Sequence, residues 1–180
     1  MTDHTLGPLL PTRPRPVLRF PGYDYTNAGG YFVTICTRAR TCHFGNVVGG
    51  AVTLSSAGRI VQETWDSLPQ RFSVAPDEFV VMPNHVHGIV QLYGDSGLTL
   101  GEIVRVFKAI STRTIRQAGM LDFAWQSNYH EHIIRNEHEL ERVRNYIVSN
   151  PLMWEDDPEN PERPRSTGTS GGDAGAGWAR

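Results

Sequence analysis

Apolar positions along this chain fall into short alternating runs and longer runs of helical period. YFVTICT (31–37) alternates β-branched and aromatic residues, and VVGGAVTLS (47–55) places Gly-Gly between two apolar runs, predicting a strand and then a hairpin. Residues 56–70 put Ile60, Val61, Thr64, Trp65 and Leu68 on one side at helical spacing, with Ser56 as the expected N-cap. DEFVVMPNHVHGIVQLY (77–93) holds two apolar runs split by Pro83-Asn84, predicting two adjacent strands joined by a tight turn. A second helix is expected over 98–118, a strand over 129–135, and a third helix from Glu137 to Asn150, stopped by Pro151. This order predicts an α+β fold, an antiparallel sheet with helices packed on it.

Residues 1–20 are rich in proline, carry Arg13, Arg15 and Arg19 and lack apolar periodicity, so they read as a basic flexible arm. From Glu155 onward the chain turns Pro-rich and then Gly-rich, and 155–180 reads as a disordered tail. One folded domain over 21–154 is expected, with no internal repeat. No apolar run approaches the ~20 residues of a membrane span, and the N-terminus lacks the basic-then-apolar order of a secretory signal. A cytoplasmic location follows as the expectation. Cys36 and Cys42 lack the paired spacing of a zinc site and are read as reduced packing residues.

The net charge of -2 excludes a protein that coats nucleic acid through bulk electrostatics, so any contact with phosphates must be local. All basic residues but Lys108 are arginine, whose planar fork suits phosphates. Arg105, Lys108, Arg113 and Arg116 share one side of the second helix, opposite Ile103, Val104, Phe107, Ile110 and Ile115. That side is either a solvated basic face or a DNA-binding one. Trp125, Tyr129 and Tyr23 are candidates to stack on unpaired bases, or else core residues.

His85 and His87 flank a single apolar residue, so on a strand both imidazoles project to one side while Val86 faces the opposite layer. Two neighbouring imidazoles can chelate a metal. A rival pair, His130 and His132, brackets Glu131, and its charged middle residue points to an edge strand. On the third helix Val143, Tyr146 and Asn150 follow one another at three and four residues, so Tyr146 and Asn150 share a face. The phenol and carboxamide can then meet one metal site, Asn150 adding a third ligand to His85 and His87. A phenol is a weak nucleophile near its reference pKa of ~10 unless a base, metal or cation favours the phenolate. Tyr129 is the alternative nucleophile. No GxxxxGK[ST] phosphate loop occurs, so no use of a nucleoside triphosphate is expected.

Taken together, PGYDYTNAGGYFVTICT, FVVMPNHVHGIV, FKAIST and WQSNYHEHIIRNEHELERVRNYIVSNP resemble the HUH single-tyrosine transposases of small insertion sequences, closest to the REP-associated branch, over about residues 20–154. The resemblance implies a ferredoxin-like or RRM-like core, Tyr146 as the nucleophile, Asn150 where the family has a Gln or Asn at the metal, and Mg²⁺ or Mn²⁺ as the ion. It implies cleavage and rejoining of single-stranded DNA near hairpins through a 5′-phosphotyrosine, with a monomer favoured over a homodimer. The competing readings are a retired transposase that binds hairpins or single strands without cutting, and a phosphodiesterase in which water replaces the tyrosine.

Overall fold

The computed structural model describes residues 29–93 and 97–163; Arg13, Arg15, Arg19 and Tyr23 lie outside them. The elements run β1 (Gly29–Cys36), β2 (Gly45–Val48), β3 (Ala51–Leu54), α1 (Ser56–Asp66), β4 (Val74–Val81), β5 (His85–Leu92), α2 (Leu100–Gln117), β6 (His130–Ile134) and α3 (Glu137–Ser149), followed by a 3-10 helix over Asn150–Asp156. The main sheet has the order β4-β5-β1-β6, and every neighbouring pair is antiparallel. Two split β-α-β units thus interleave, giving the expected ferredoxin-like arrangement. The β2-β3 hairpin is a separate two-stranded sheet inserted ahead of α1. Its turn requires positive φ at both central positions, which Gly49 (57°) and Gly50 (76°) supply.

Helix boundaries follow local hydrogen bonding. The cap of α1 is Ser55, one residue earlier than the sequence suggests, because its hydroxyl accepts from the Gly58 N–H at 3.1 Å. In α2, Thr99 and Glu102 form a reciprocal capping box. For α3, Asn136 accepts from the Glu139 N–H at 2.9 Å. Strand β4 begins three residues before the expected start and tolerates Pro76 because it lies at the sheet edge.

Strand alternation sends successive side chains to two different layers. Tyr31, Val33, Ile35, Val86 and Val90 join Val61 and Trp65 of α1 and Ile103 and Phe107 of α2 in the large core. Phe32 and Ile89 face the other way and meet Leu140, Val143 and Ile147 of α3. Gly88 is needed on the large-core face, where a Cβ would lie 2.6 Å from the Trp65 ring; without one, Trp65 stacks on Phe79 with centroids 4.3 Å apart.

The ordered chain runs past the boundary expected at residue 154. Asp157 is buried, Arg40 pairs with Glu159 at 2.8 Å, and the Asn84 amide donates to the Glu159 carbonyl at 2.7 Å. Proline and polar composition misleads here because the order is local. Asp157 accepts from the Glu159 N–H and Asn160 from the Glu162 N–H, two successive Asx turns with Pro158 and Pro161 at their centres.

Candidate active site

The turn at Pro83-Asn84 starts β5 with His85, and two-residue alternation brings His85 and His87 to the α3 face, both buried. Asn84 spends its amide hydrogens on the carbonyls of Arg40 (3.0 Å) and Glu159 (2.7 Å), which leaves its Oδ1 to accept from His85 Nδ1–H at 2.9 Å. That bond directs the His85 lone pair to Nε2. His87 Nδ1 meets Thr34 Oγ1 at 2.8 Å, and the two Nε2 atoms stand 3.1 Å apart. Burial holds both imidazoles in the neutral form, His85 well below its ordinary value and His87 at about 3. Neutral imidazole is the form that binds a metal.

Asp157 completes a cluster with these histidines in which one ligand atom from each lies within 4.8 Å of the others. Its Oδ2 is 3.7 Å from His85 Nε2 and has no hydrogen-bond partner among the described residues. Burial raises its carboxyl to about 6. Arg163 and Arg40 act on this carboxyl only through space and less strongly than its burial, and a divalent ion is a group that two imidazoles and a carboxylate can hold together. The donor set therefore fits the expected metal. Asn150 is also buried, and its Oδ1 has no partner among the described residues. Helical spacing singles out Asn150, whose side chain bonds to Tyr146, whereas Asp157 falls in the segment whose composition predicts a tail.

Tyr146 is half-buried between the site and the small core, its ring 5.3 Å from that of His87 and 6.0 Å from that of Phe32. Burial, reinforced by the Asp157 charge, raises the phenol to about 12, while a hydrogen bond from Asn150 acts in the opposite direction. Tyr129 packs against the large core on the other side of the sheet, with Lys108 over its ring.

A family model for IS200-like transposases matches residues 51–150, a span that contains both histidines and Tyr146 and covers more than half of the chain. The chain belongs to the IS200-like transposase family. An uncharacterised protein of Haemophilus influenzae is 37% identical over 161 residues, an alignment that covers 78% of this chain and 89% of that one. A solved structure of a REP-associated tyrosine transposase bound to a REP hairpin superposes with a TM-score of 0.58 at 22% identity, covering 78% of this chain and 79% of that one. At that identity the likeness speaks for the fold.

In this IS200-like transposase the four basic residues of α2 have different surroundings. Arg105 and Arg113 are exposed. Lys108 Nζ donates to the carbonyls of Gln126 (3.0 Å), Ser127 (3.4 Å) and Asn128 (3.0 Å), and burial lowers it to about 8. Arg116 Nε donates to the Phe123 carbonyl at 3.0 Å. These two side chains fasten the loop after α2, because carbonyls left unpaired there need donors. Trp125 is a core residue whose indole N–H donates to Ser111. The rival pair is divided: β6 is indeed an edge strand, His130 is exposed, and His132 bonds to Glu139 of α3 at 2.7 Å. No helix among the described residues is long and apolar enough to cross a membrane.

Proposed function

We propose that this transposase is a metal-dependent single-stranded DNA transesterase that cleaves and rejoins DNA near hairpins through a 5′-phosphotyrosine at Tyr146. The observation that carries the reading is the convergence of the two neutral Nε2 atoms, the buried Asp157 carboxylate and the Tyr146 ring on one face of the sheet. His85, His87 and Asp157, with Asn150 beside them, would hold Mg²⁺ or Mn²⁺. The ion would polarise the scissile phosphate and offset the Asp157 charge that raises the phenol.

Tyr146 Oη gives up its proton and attacks phosphorus. The new bond is Oη–P, the P–O3′ bond breaks, and the departing oxygen takes up a proton to become a free 3′-hydroxyl. Attack by a 3′-hydroxyl on the phosphotyrosine reverses the exchange and releases Tyr146. Bond energy is conserved, so no nucleoside triphosphate is required. Arg105 and Arg113 are the α2 cations left to follow phosphates, Arg113 beside a groove of about 830 Å³ between α2 and the 121–127 loop that Lys108 and Arg116 also line. The arm with Arg13, Arg15 and Arg19 would add contacts at the hairpin foot. A monomer is the favoured form over a homodimer, a reading supported by the Tyr146 ring lying 5.3 Å from that of His87 in the same chain.

Incubation with end-labelled, hairpin-tailed single strands and Mn²⁺, resolved on denaturing gels, tests the reading. A covalent adduct is expected from the wild type and Tyr129→Phe and none from Tyr146→Phe. Adduct retained in Tyr146→Phe and lost in Tyr129→Phe would overturn the assignment. Hairpin binding with no adduct from any of the three would favour the non-cutting regulator.

A further inference from the structure

The helix that carries Tyr146 and is capped by Asn150 is bracketed by polar contacts to both edge strands of the sheet. Near its N-terminus, Glu139 accepts from His132 of β6 at 2.7 Å and from the Arg135 N–H at 2.8 Å. Two residues before Tyr146, Arg144 reaches the opposite edge. Its Nε donates to Asp77 Oδ1 at 2.9 Å and its Nη2 to Asp77 Oδ2 at 2.7 Å, a parallel two-bond fork.

Asp77 is itself fixed. It lies at the irregularity in β4, where the register against β5 slips between Pro76 and Phe79. The extra residue turns Glu78 outward and returns Phe79 to the large core, so that Asp77 can face α3. Gln91 of β5 donates to Asp77 Oδ2 at 3.2 Å, and the Glu78 N–H donates to Oδ1 at 2.8 Å. Every contact here aims the carboxylate at Arg144.

The apolar contacts beneath α3 come from a small set, Phe32 and Ile89 with the partly buried Val80 and Ile134 against Leu140, Val143, Tyr146 and Ile147. Apolar packing is non-directional, so contacts of this kind alone leave a helix free to rotate or slide at little cost. A two-bond ionic fork cannot follow such a movement without breaking. We propose that the Asp77–Arg144 pair sets the rotation and axial position of α3 and so aims Tyr146 at the histidine site, which makes both of them positioning residues. The proposal rests on Tyr146 being the nucleophile.

Arg144→Lys keeps the charge and loses the fork, and Asp77→Asn keeps the shape and loses the charge. Each is compared with wild type in hairpin-tailed strand cleavage with Mn²⁺ and in amide hydrogen exchange read element by element. Misplacement of a reacting group by about 1 Å can cost 10²-fold, so the maximal rate is expected to fall roughly ten- to a hundredfold while KM stays nearly unchanged. Exchange should speed up over 143–150 and stay at the wild-type rate in α1 and α2. An unchanged maximal rate with unchanged α3 exchange would overturn the proposal, and so would faster exchange spread equally over all three helices. Should the wild type form no adduct, the transesterase reading falls and the exchange pattern alone decides whether the fork holds the helix.

Discussion

The two faces of the main sheet are built from alternate residues of the same strands, yet they differ in composition and in use. Toward α1 and α2 the sheet presents Tyr31, Val33, Ile35, Val86 and Val90 to a core that includes Trp65, Phe107 and Trp125. Toward α3 it presents Phe32 and Ile89 beside Thr34, His85 and His87. In β5 the division runs residue by residue, with Val86, Gly88 and Val90 on one side and His85, His87 and Ile89 on the other. The first face gains stability from buried apolar area. The second buries two neutral imidazoles and a carboxyl raised to about 6, an arrangement that costs stability and that the proposed metal ion would offset. The stronger face thus carries the weaker one, and the proposed chemistry sits on the thinner layer.

The sharpest way to break this contrast is Trp65→Ala, which empties the space over Gly88 and removes the stack on Phe79. A loss of about 3–5 kcal/mol in urea unfolding is expected from a large aromatic in a packed core. A loss no greater than that of Ile147→Ala on the α3 face would show that the two faces share the load.

Acid should act on the other face. His87 has its folded value at about 3 against an ordinary 6.5, and His85 is displaced in the same direction. The unfolded chain therefore binds protons that the native chain refuses, and stability of the metal-free protein falls as pH drops below 6.5 toward 3. Asp157 opposes this between about 6 and 3.8, where the native carboxyl holds a proton that the unfolded one has lost. A tenfold change in proton affinity is worth about 1.4 kcal/mol, and two histidines outweigh one carboxyl. Urea midpoints between pH 7 and 4 should decline, and decline less steeply in His87→Gln. A flat profile would mean that the imidazoles are not buried as a neutral pair.

The smallest effect concerns α2. Arg113→Ala should lower the dependence of hairpin affinity on log salt concentration by about 1 and leave the unfolding midpoint in place. Lys108→Ala, which frees three carbonyls, should lower the unfolding midpoint instead. The reverse pattern would make Lys108 the phosphate contact.

The α3 face is partly legible in the sequence because its rule is short-range. A His-apolar-His triplet on a strand fixes which way both rings point, and spacing within one helix puts Tyr146 and Asn150 together. The sheet order is legible only as a class, since β1 pairs with β5 and β6 across long stretches of intervening chain. Asp157 escapes notice for another reason. In DDPENPE the helical and strand periods vanish, and what orders the segment is the Asx turns, the Asn84 amide and the Arg40–Glu159 pair, none of which leaves a hydrophobic signature. The fate of Lys108 and Arg116 is hidden too. Helix periodicity puts a cation on a face but does not tell whether solvent, a phosphate or the chain's own carbonyls wait there.

The alternation in β5 can be tested directly by Mn²⁺ titration, followed by the electron paramagnetic resonance signal of the free ion, on the wild type, the His85→Ala/His87→Ala double variant and Val86→Ala. The histidine variant is predicted to lose Mn²⁺ binding with its helix content intact, whereas Val86→Ala unfolds at lower urea and binds Mn²⁺ as the wild type does. Equal Mn²⁺ affinity in the wild type and the histidine variant would contradict a metal site on the α3 face.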